Sequence, residues 1–158
     1  MDFRIEAIAG AVLARVRAAG VDDFGNVLAP FVVDDADGAP VRCCLRMAGP
    51  GETVAAIAYR PPGGVAAYDE VGPVFIHVAD CGGYQAPGEY PPGFATRRQV
   101  LRAYGRDGRI ADALLVDGAD EARTGIAKLL DRADVAVIQS RNVLYGCFMF
   151  AVHRPNET

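Results

Sequence analysis

The cysteines and histidines of this sequence are few, and one of each lies at the end of the same apolar run. The chain has 4 cysteines and 2 histidines. His77 lies within residues 74–79, and Cys81 follows after one intervening residue, Asp80. An imidazole can deprotonate a nearby thiol, and the two glycines after Cys81 could offer backbone N–H groups to an oxyanion. Glu70, ahead of the run, is a further acid–base candidate. His77, Cys81 and Glu70 are therefore candidate catalytic residues, and a buried thiol beside a hydrogen-bonded histidine is the alternative.

The same residue types raise the question of a metal site. His77, Cys44, Cys81 and Cys147 together offer four nitrogen and sulfur ligands, which is the set that Zn²⁺ prefers. Along a flat strand, however, His77 and Cys81 would be about 13 Å apart at ~3.3 Å per residue. No pair of cysteines has the C-x-x-C spacing of a zinc site. The sequence therefore predicts no metal ion and no cofactor.

Arginines inside apolar strand patterns indicate a different chemistry. Arg42 and Arg102 have apolar neighbours in the sequence, and Arg141 lies shortly before Val143 and Leu144. A planar guanidinium binds carboxylate or phosphate through two parallel hydrogen bonds. If two of these arginines converge with Tyr68 and Asn142, they form a pocket for a small anionic molecule. The first functional hypothesis is such a pocket, floored by the end of the central strand and roofed by the loop that follows.

Two alternatives to this anion pocket stay open. Each arginine could instead lie on the solvated face of its own strand, paired with Asp112, Glu70 or Asp80. The chain could also be an interaction module that binds a partner or a second copy of itself, as a homodimer, through a sheet edge or through residues 81–96. That loop carries Tyr84, Tyr90 and Phe94, which are suited to contacts with another surface.

The elements that must position these residues are those of an α+β fold. Apolar spacing predicts two helices, over residues 6–19 and 120–131, and a series of strands between and after them. The strands are predicted at residues 27–33, 41–47, 53–59, 74–79, 98–104, 110–116, 135–139 and 144–153. Gly105-Arg106-Asp107-Gly108 predicts a hairpin turn between two of them. We expect a single domain over residues 1–158, with a largely antiparallel sheet or a partly open barrel packed with the two helices.

Composition excludes several classes of protein. The net charge of −4, without a basic run, argues against nucleic acid as a partner. No apolar run approaches the roughly 20 residues that a membrane span needs. The acidic start, Met1-Asp2-Phe3, lacks the basic region of a secretory signal, so we expect a cytoplasmic protein with four reduced thiols.

Six short phrases along the chain form a pattern that resembles a known family. They are Val41-Arg42-Cys43-Cys44-Leu45, Gly51-Glu52-Thr53-Val54, Ala67-Tyr68, Val74-Phe75-Ile76-His77, Leu101-Arg102-Ala103-Tyr104, and Arg141-Asn142-Val143-Leu144-Tyr145-Gly146-Cys147-Phe148. Together they resemble a family of short bacterial proteins known as a domain of unknown function, number twelve-oh-three. The phrase that ends in Gly146-Cys147-Phe148 is the most specific of the six.

The chain departs from the family pattern in three places. Val41 stands where a cysteine is expected between a proline and an arginine, and Pro73 and Arg141 stand where histidines are expected. A histidine-based activity would therefore be lost or relocated in this chain. The resemblance implies membership of this family, but it supplies no activity, cofactor or catalytic residue.

Overall fold

Two β-sheets and two helices form the structure, a computed structural model that describes residues 2–35 and 38–157. In chain order the elements are β1 (Arg4–Glu6), α1 (Gly10–Ala19), β2 (Phe31–Val32), β3 (Pro40–Val41), β4 (Arg46–Met47), β5 (Thr53–Tyr59), β6 (Gly72–His77), β7 (Arg98–Gly105), β8 (Ile110–Asp117), α2 (Gly118–Leu130), β9 (Val135–Asn142) and β10 (Phe148–His153). Each sheet has five strands, and neither sheet is closed into a barrel. The predicted α+β class is confirmed. None of the helices in the described ranges is long and apolar enough to cross a membrane.

The first sheet has the order β1-β10-β9-β7-β8 and is antiparallel throughout. Helix α2 covers one of its faces because Ile126, Leu129 and Leu130 form a buried apolar stripe. The acidic residues Asp120 and Glu121 lie in the first turn of this helix, where they favour the positive end of its dipole.

The second sheet has the order β2-β5-β6-β3-β4. Its neighbouring strands are antiparallel except for β3 and β6, which run parallel where Val41 lies opposite Phe75. A second core joins this sheet and α1 to the first sheet, because Tyr104, Val137 and Phe148 of the first sheet pack into it. The two sheets therefore meet along one shared apolar layer.

Several predicted bounds are wrong. Of residues 27–33 only Phe31–Val32 form a strand, and of residues 144–153 only Phe148–His153 do. The first helix was predicted over residues 6–19, but residues 4–6 form β1 and pair with β10, and the helix begins only at Gly10. Residues 41–47 were expected as one continuous strand. They form instead the hairpin β3–β4, with a turn in which Leu45 adopts a φ of 57°.

The two loops singled out in the sequence differ in outcome. The predicted hairpin turn at residues 105–108 is confirmed, since β7 and β8 pair on either side of it and Gly108 has a φ of 75°. The loop over residues 81–96 packs back on the protein, with Tyr90 and Phe94 buried against Phe150 in the first core. Those two aromatic rings are therefore not available to a partner.

Candidate functional site

A cavity of about 480 Å³ lies where the two sheets meet, and we call it the arginine cavity. Its lining residues are Gly38, Pro40, Arg42, Ala56, Pro73, Val74, Phe75, Arg97, Asn142, Tyr145 and Cys147. They come from β3, β5 and β6 of the second sheet, and from the ends of β7, β9 and β10 of the first. Arg42 and Arg97 are the only charged side chains among them, so the lining carries a charge of about +2.

Arg42 is held rigidly at the inner end of this cavity. It is only 3% exposed. Its Nε donates a hydrogen bond to the carbonyl oxygen of Phe148 at 2.7 Å, and its Nη1 donates to that of Pro40. Burial, with a smaller contribution from the nearby charge of Arg97, lowers the pKa of Arg42 to about 10. Among the described residues, no carboxylate lies within 4 Å of either arginine.

The opposite wall of the arginine cavity is formed by the turn between β9 and β10. The Oδ1 atom of Asn142 accepts hydrogen bonds from the main-chain N–H groups of Leu144 and Tyr145, at 2.9 and 3.0 Å. This fixes the side chain, and it leaves the amide NH₂ group as a donor. The thiol of Cys147 also borders the cavity.

Arg102 and Arg141 converge elsewhere, on Glu70. The Nη2 atom of Arg102 lies 2.6 Å from Oε2 of Glu70, and Nη1 of Arg141 lies 3.0 Å from the same oxygen. Burial lowers the pKa of Arg141, and the charge of Arg102 lowers it further. Glu70 and Arg141 line a second cavity, which shares Pro73, Val74, Tyr145 and Cys147 with the arginine cavity. Here the two cations already have a protein carboxylate between them.

Three thiols and one imidazole form a second grouping, which we call the thiol–imidazole cluster: Cys43, Cys44, His77 and Cys81. Their ligand atoms all lie within 4.8 Å of one another. The Nδ1 atom of His77 is 3.5 Å from Sγ of Cys43 and 3.6 Å from Sγ of Cys44. Because the hairpin turn replaces a flat strand, both adjacent cysteines face the same histidine.

His77 and Cys81 lie much closer together than a flat strand would place them, with their ligand atoms within 4.8 Å of each other. Strand β6 ends at His77, and the chain bends over the next two residues. Arg17 of α1 contacts both ends of this bend. Its Nε donates to the carbonyl oxygen of His77 at 3.1 Å, and its Nη2 lies 3.8 Å from Sγ of Cys81.

Hydrogen bonds set the protonation of the thiol–imidazole cluster. The thiol of Cys44 lowers the pKa of Cys43 to about 5, against the effect of burial, and the main-chain N–H of His77 contributes by donating to the same sulfur at 3.3 Å. The interaction with Cys43 raises the pKa of Cys44, and burial raises it further. Of the two adjacent cysteines, Cys43 is therefore the one whose anionic form is favoured.

A carboxylate lies behind the histidine. Oε1 of Glu52 is 3.2 Å from Nε2 of His77. Arg46 holds Glu52 with two hydrogen bonds of 2.6 and 2.9 Å, and the main-chain N–H of Gly49 donates to the same carboxylate. Arg46 and Gly49 together lower the pKa of Glu52 to about 2.

The structure thus separates the residues that sequence reasoning had grouped. Arg42 and Asn142 line the arginine cavity, whereas Arg102 and Arg141 contact Glu70. Tyr68 is exposed and lines neither cavity. The loop over residues 81–96 contributes no lining residue to either cavity, so it does not roof them.

Several contributors were missed from the sequence. They are Arg97 in the arginine cavity, and Cys43, Glu52 and Arg17 in or around the thiol–imidazole cluster. Cys147, considered as a zinc ligand, lies in the cavities and not in the cluster. Glu70, considered beside His77 and Cys81, lies in the second cavity. The sequence had named His77, Cys44 and Cys81 as possible zinc ligands, and the adjacency of Cys43 to Cys44 was the signal that pointed to the fourth member.

Comparison with known proteins places most of the chain in one family. A family model described as a protein of unknown function, DUF1203, matches residues 38–154. That range contains all four members of the thiol–imidazole cluster and every lining residue of the arginine cavity. No curated protein and no solved structure matches the chain.

Proposed function

The chain belongs to DUF1203, a family of proteins of unknown function, and we propose that it binds a small organic anion in the arginine cavity. One observation carries the proposal. Arg42 and Arg97 border the same cavity, and neither has a carboxylate within 4 Å among the described residues.

The electrostatics of the cavity favour an anionic occupant. A buried guanidinium without a counter-charge is costly, and a second cation facing the same space adds repulsion. Arg42 cannot turn away to water, because two of its nitrogen atoms donate to the carbonyl groups of Phe148 and Pro40. An anion placed between the two guanidinium groups offsets both effects.

The rest of the lining argues for a carboxylate with an apolar body. Pro40, Val74 and Phe75 form apolar walls, and the amide group of Asn142 supplies one further donor. A volume of about 480 Å³ lies within the range of about 300–1,000 Å³ that small-molecule sites occupy. The occupant that fits this description is an aromatic or short aliphatic acid.

The alternatives have less support. The candidates of the enzyme hypothesis, which uses Cys81, His77 or Glu70, lie in two separate places. Glu70 contacts Arg102 and Arg141, whereas Cys81 and His77 belong to the thiol–imidazole cluster. None of the cavities described here is lined by a cluster residue. An interaction surface built on Tyr90 and Phe94 is opposed by the burial of both rings.

Thermal unfolding with added ligands tests the proposal. Benzoate and hexanoate should raise the melting temperature, because a ligand that binds only the folded state stabilises it by about 2.7 kcal/mol at a hundred times its Kd. Arg97→Met should abolish the rise. Arg98→Met is the matched control, since Arg98 is the next residue, is exposed and lies outside the cavity.

A second readout uses the thiol that borders the cavity. Benzoate should slow alkylation of Cys147 by iodoacetamide, measured peptide by peptide by mass spectrometry, in wild type and in Arg98→Met. The neutral isostere benzamide should have neither effect. Equal effects of benzoate and benzamide, or a rise in melting temperature that persists in Arg97→Met, would contradict the proposal.

A further inference from the structure

The thiol–imidazole cluster is not used by the proposed anion site, and a separate chemistry follows from it. We infer that Cys43, Cys44, His77 and Cys81 bind a single Zn²⁺ ion in tetrahedral coordination. The inference rests on the arrangement of these four side chains and on the groups behind them. It does not depend on what occupies the arginine cavity.

The distances between the ligand atoms suit one tetrahedral zinc ion. With Zn–S bonds of about 2.3 Å and Zn–N bonds of about 2.0–2.1 Å, ligand atoms on a tetrahedron lie roughly 3.5–3.8 Å apart. The Nδ1 atom of His77 is 3.5 and 3.6 Å from the sulfur atoms of Cys43 and Cys44. All of the ligand atoms lie within 4.8 Å of one another. The cluster therefore needs only small side-chain movements to close on the ion.

Glu52 supplies the outer carboxylate that zinc-bound histidines commonly have. Its Oε1 lies 3.2 Å from Nε2 of His77, on the side of the ring away from the thiols. Nε2 is fully buried, and it is not yet aligned for a hydrogen bond, so a small rotation of the ring completes the contact. With its proton on Nε2, His77 presents the lone pair of Nδ1 to the cluster.

Glu52 is itself held in place by the hairpin that carries the cysteines. Arg46, the first residue of β4, donates to both of its carboxylate oxygens. The turn that brings Cys43 and Cys44 to His77 thus also fixes the group that orients His77.

The charges around the cluster suit bound zinc. Three thiolates and one Zn²⁺ ion carry a net charge of about −1. Arg17 places its guanidinium beside Cys81, with Nη2 at 3.8 Å from the sulfur. The main-chain N–H of His77 also donates to the sulfur of Cys43 at 3.3 Å. These donors stabilise sulfur in its anionic form, which is the form that binds metal.

The site is of the structural kind. All four coordination positions are filled by protein, whereas catalytic zinc sites keep one open for water or substrate. The ion would join the β3–β4 turn to the end of β6 and to the loop after it. Its expected effect is therefore on stability.

Metal content and spectroscopy test the inference on the full chain. Protein purified under reducing conditions should contain about one zinc per chain by elemental analysis. Replacement of zinc by Co²⁺ should give the visible d–d bands of tetrahedral cobalt and near-ultraviolet thiolate charge-transfer bands. Removal of the metal by a chelator should lower the melting temperature, and added Zn²⁺ should restore it.

Variants assign the ligands. Cys44→Ser and Cys81→Ser should lose the charge-transfer bands in part and bind zinc more weakly, whereas the matched control Cys147→Ser should behave as wild type. If a ligand variant fails to fold, Glu52→Gln can be used in its place, because it leaves all four ligands unchanged. It should weaken zinc affinity by roughly 10–100-fold in competition with a chelating indicator.

Three results would overturn the inference. The first is reduced protein that gives no tetrahedral Co²⁺ spectrum. The second is a spectrum that survives in the Cys44→Ser, Cys81→Ser double variant. The third is a disulfide between two cluster cysteines in freshly purified protein, detected as a mass two hydrogens lower.

Discussion

Arg42 donates its Nε hydrogen to the carbonyl oxygen of Phe148, 2.7 Å away and 106 positions along the chain. The donor follows β3 in the second sheet, and the acceptor begins β10 in the first. A single side chain therefore both borders the arginine cavity and bonds the two sheets together. Loss of Arg42 should therefore affect both ligand binding and the stability of the fold, and these effects can be measured separately.

The structural role of Arg42 predicts a loss of stability. Arg42→Met leaves the carbonyl groups of Phe148 and Pro40 without this donor, and an unsatisfied buried polar group costs about 1–3 kcal/mol. We expect a loss of this size in urea unfolding. Arg97→Met, which removes the other cavity cation, should change stability by no more than about 0.5 kcal/mol. Equal losses in the two variants would contradict the assigned role of Arg42.

The contacts of Glu70 predict an energetic coupling. A double-mutant cycle of Glu70→Gln with Arg141→Met measures this coupling. We expect a coupling energy of about 1 kcal/mol, because the side chain of Glu70 is 44% exposed and water screens the pair. The coupling should fall as salt is added. The exposed pair Arg60 and Asp69, 3.1 Å apart, is the control and should couple less. A coupling no larger than that of the control would show that the convergence on Glu70 carries no energy.

Asp22 predicts a dependence of stability on pH. Its carboxylate accepts hydrogen bonds from the main-chain N–H groups of Ala58, Phe24 and Asn26. Burial alone would raise its pKa, but these bonds outweigh burial and lower it. A lowered folded-state pKa gives stability that is present above the unfolded value of about 3.9 and is lost as pH falls through the folded value.

Asp22→Ala should therefore lose about 1.5–3 kcal/mol at neutral pH, as expected for hydrogen bonds to a charged group. The difference from wild type should shrink as the pH falls below about 4. Asp23→Ala is the matched control, since Asp23 forms an exposed ion pair with Arg15. Urea midpoints measured across this pH range check both variants. A constant difference between Asp22→Ala and wild type would exclude the carboxylate as its source.

Gly108 and Gly51 form a matched pair for backbone strain. Their φ angles are 75° and 88°, but a Cβ at Gly108 would collide with the side chain of Val65, whereas one at Gly51 has nothing within 4 Å. Gly51→Ala should cost about 1–2 kcal/mol for the left-handed conformation alone. Gly108→Ala should cost about 1–3 kcal/mol more for the collision. Adding Val65→Ala to Gly108→Ala should recover part of that difference in thermal unfolding, and no recovery would assign the loss to the backbone alone.

The sequence predicts those parts of the fold that are determined by neighbouring residues, and it fails where contacts between distant residues determine the structure. The β7–β8 hairpin was predictable because Asp107-Gly108 favours the turn that it forms. The turn that carries the cysteines was not, because its left-handed residue is Leu45, which does not favour that conformation. The alternating pattern of residues 41–47 suits a strand equally well, and only pairing of Val41 with Phe75 and with Arg46 separates the two possibilities.

The same contrast between local signals and distant contacts applies to the residues of the candidate site. The sequence named Arg42 and Asn142 as candidate ligand-binding residues, and both line the arginine cavity. They were named because charged and polar side chains within apolar strands must reach water, a hydrogen-bond partner or a ligand. It could not find Arg97 or Glu52. Their roles depend on contacts with β3 and β6, which are distant in sequence, and no local pattern encodes those contacts.

The pairing of β1 with β10 has a consequence for synthesis of the chain. Arg4 and Ile5 lie opposite His153 and Val152, so β1 cannot complete its sheet until β10 has been synthesised. At about 5–20 residues per second, the wait is roughly 7–30 seconds. During that interval the buried side chain of Ile5 has no native partner strand. The segment that becomes β1 must therefore stay unpaired until β10 has been synthesised, which makes completion of the first sheet a late step in folding.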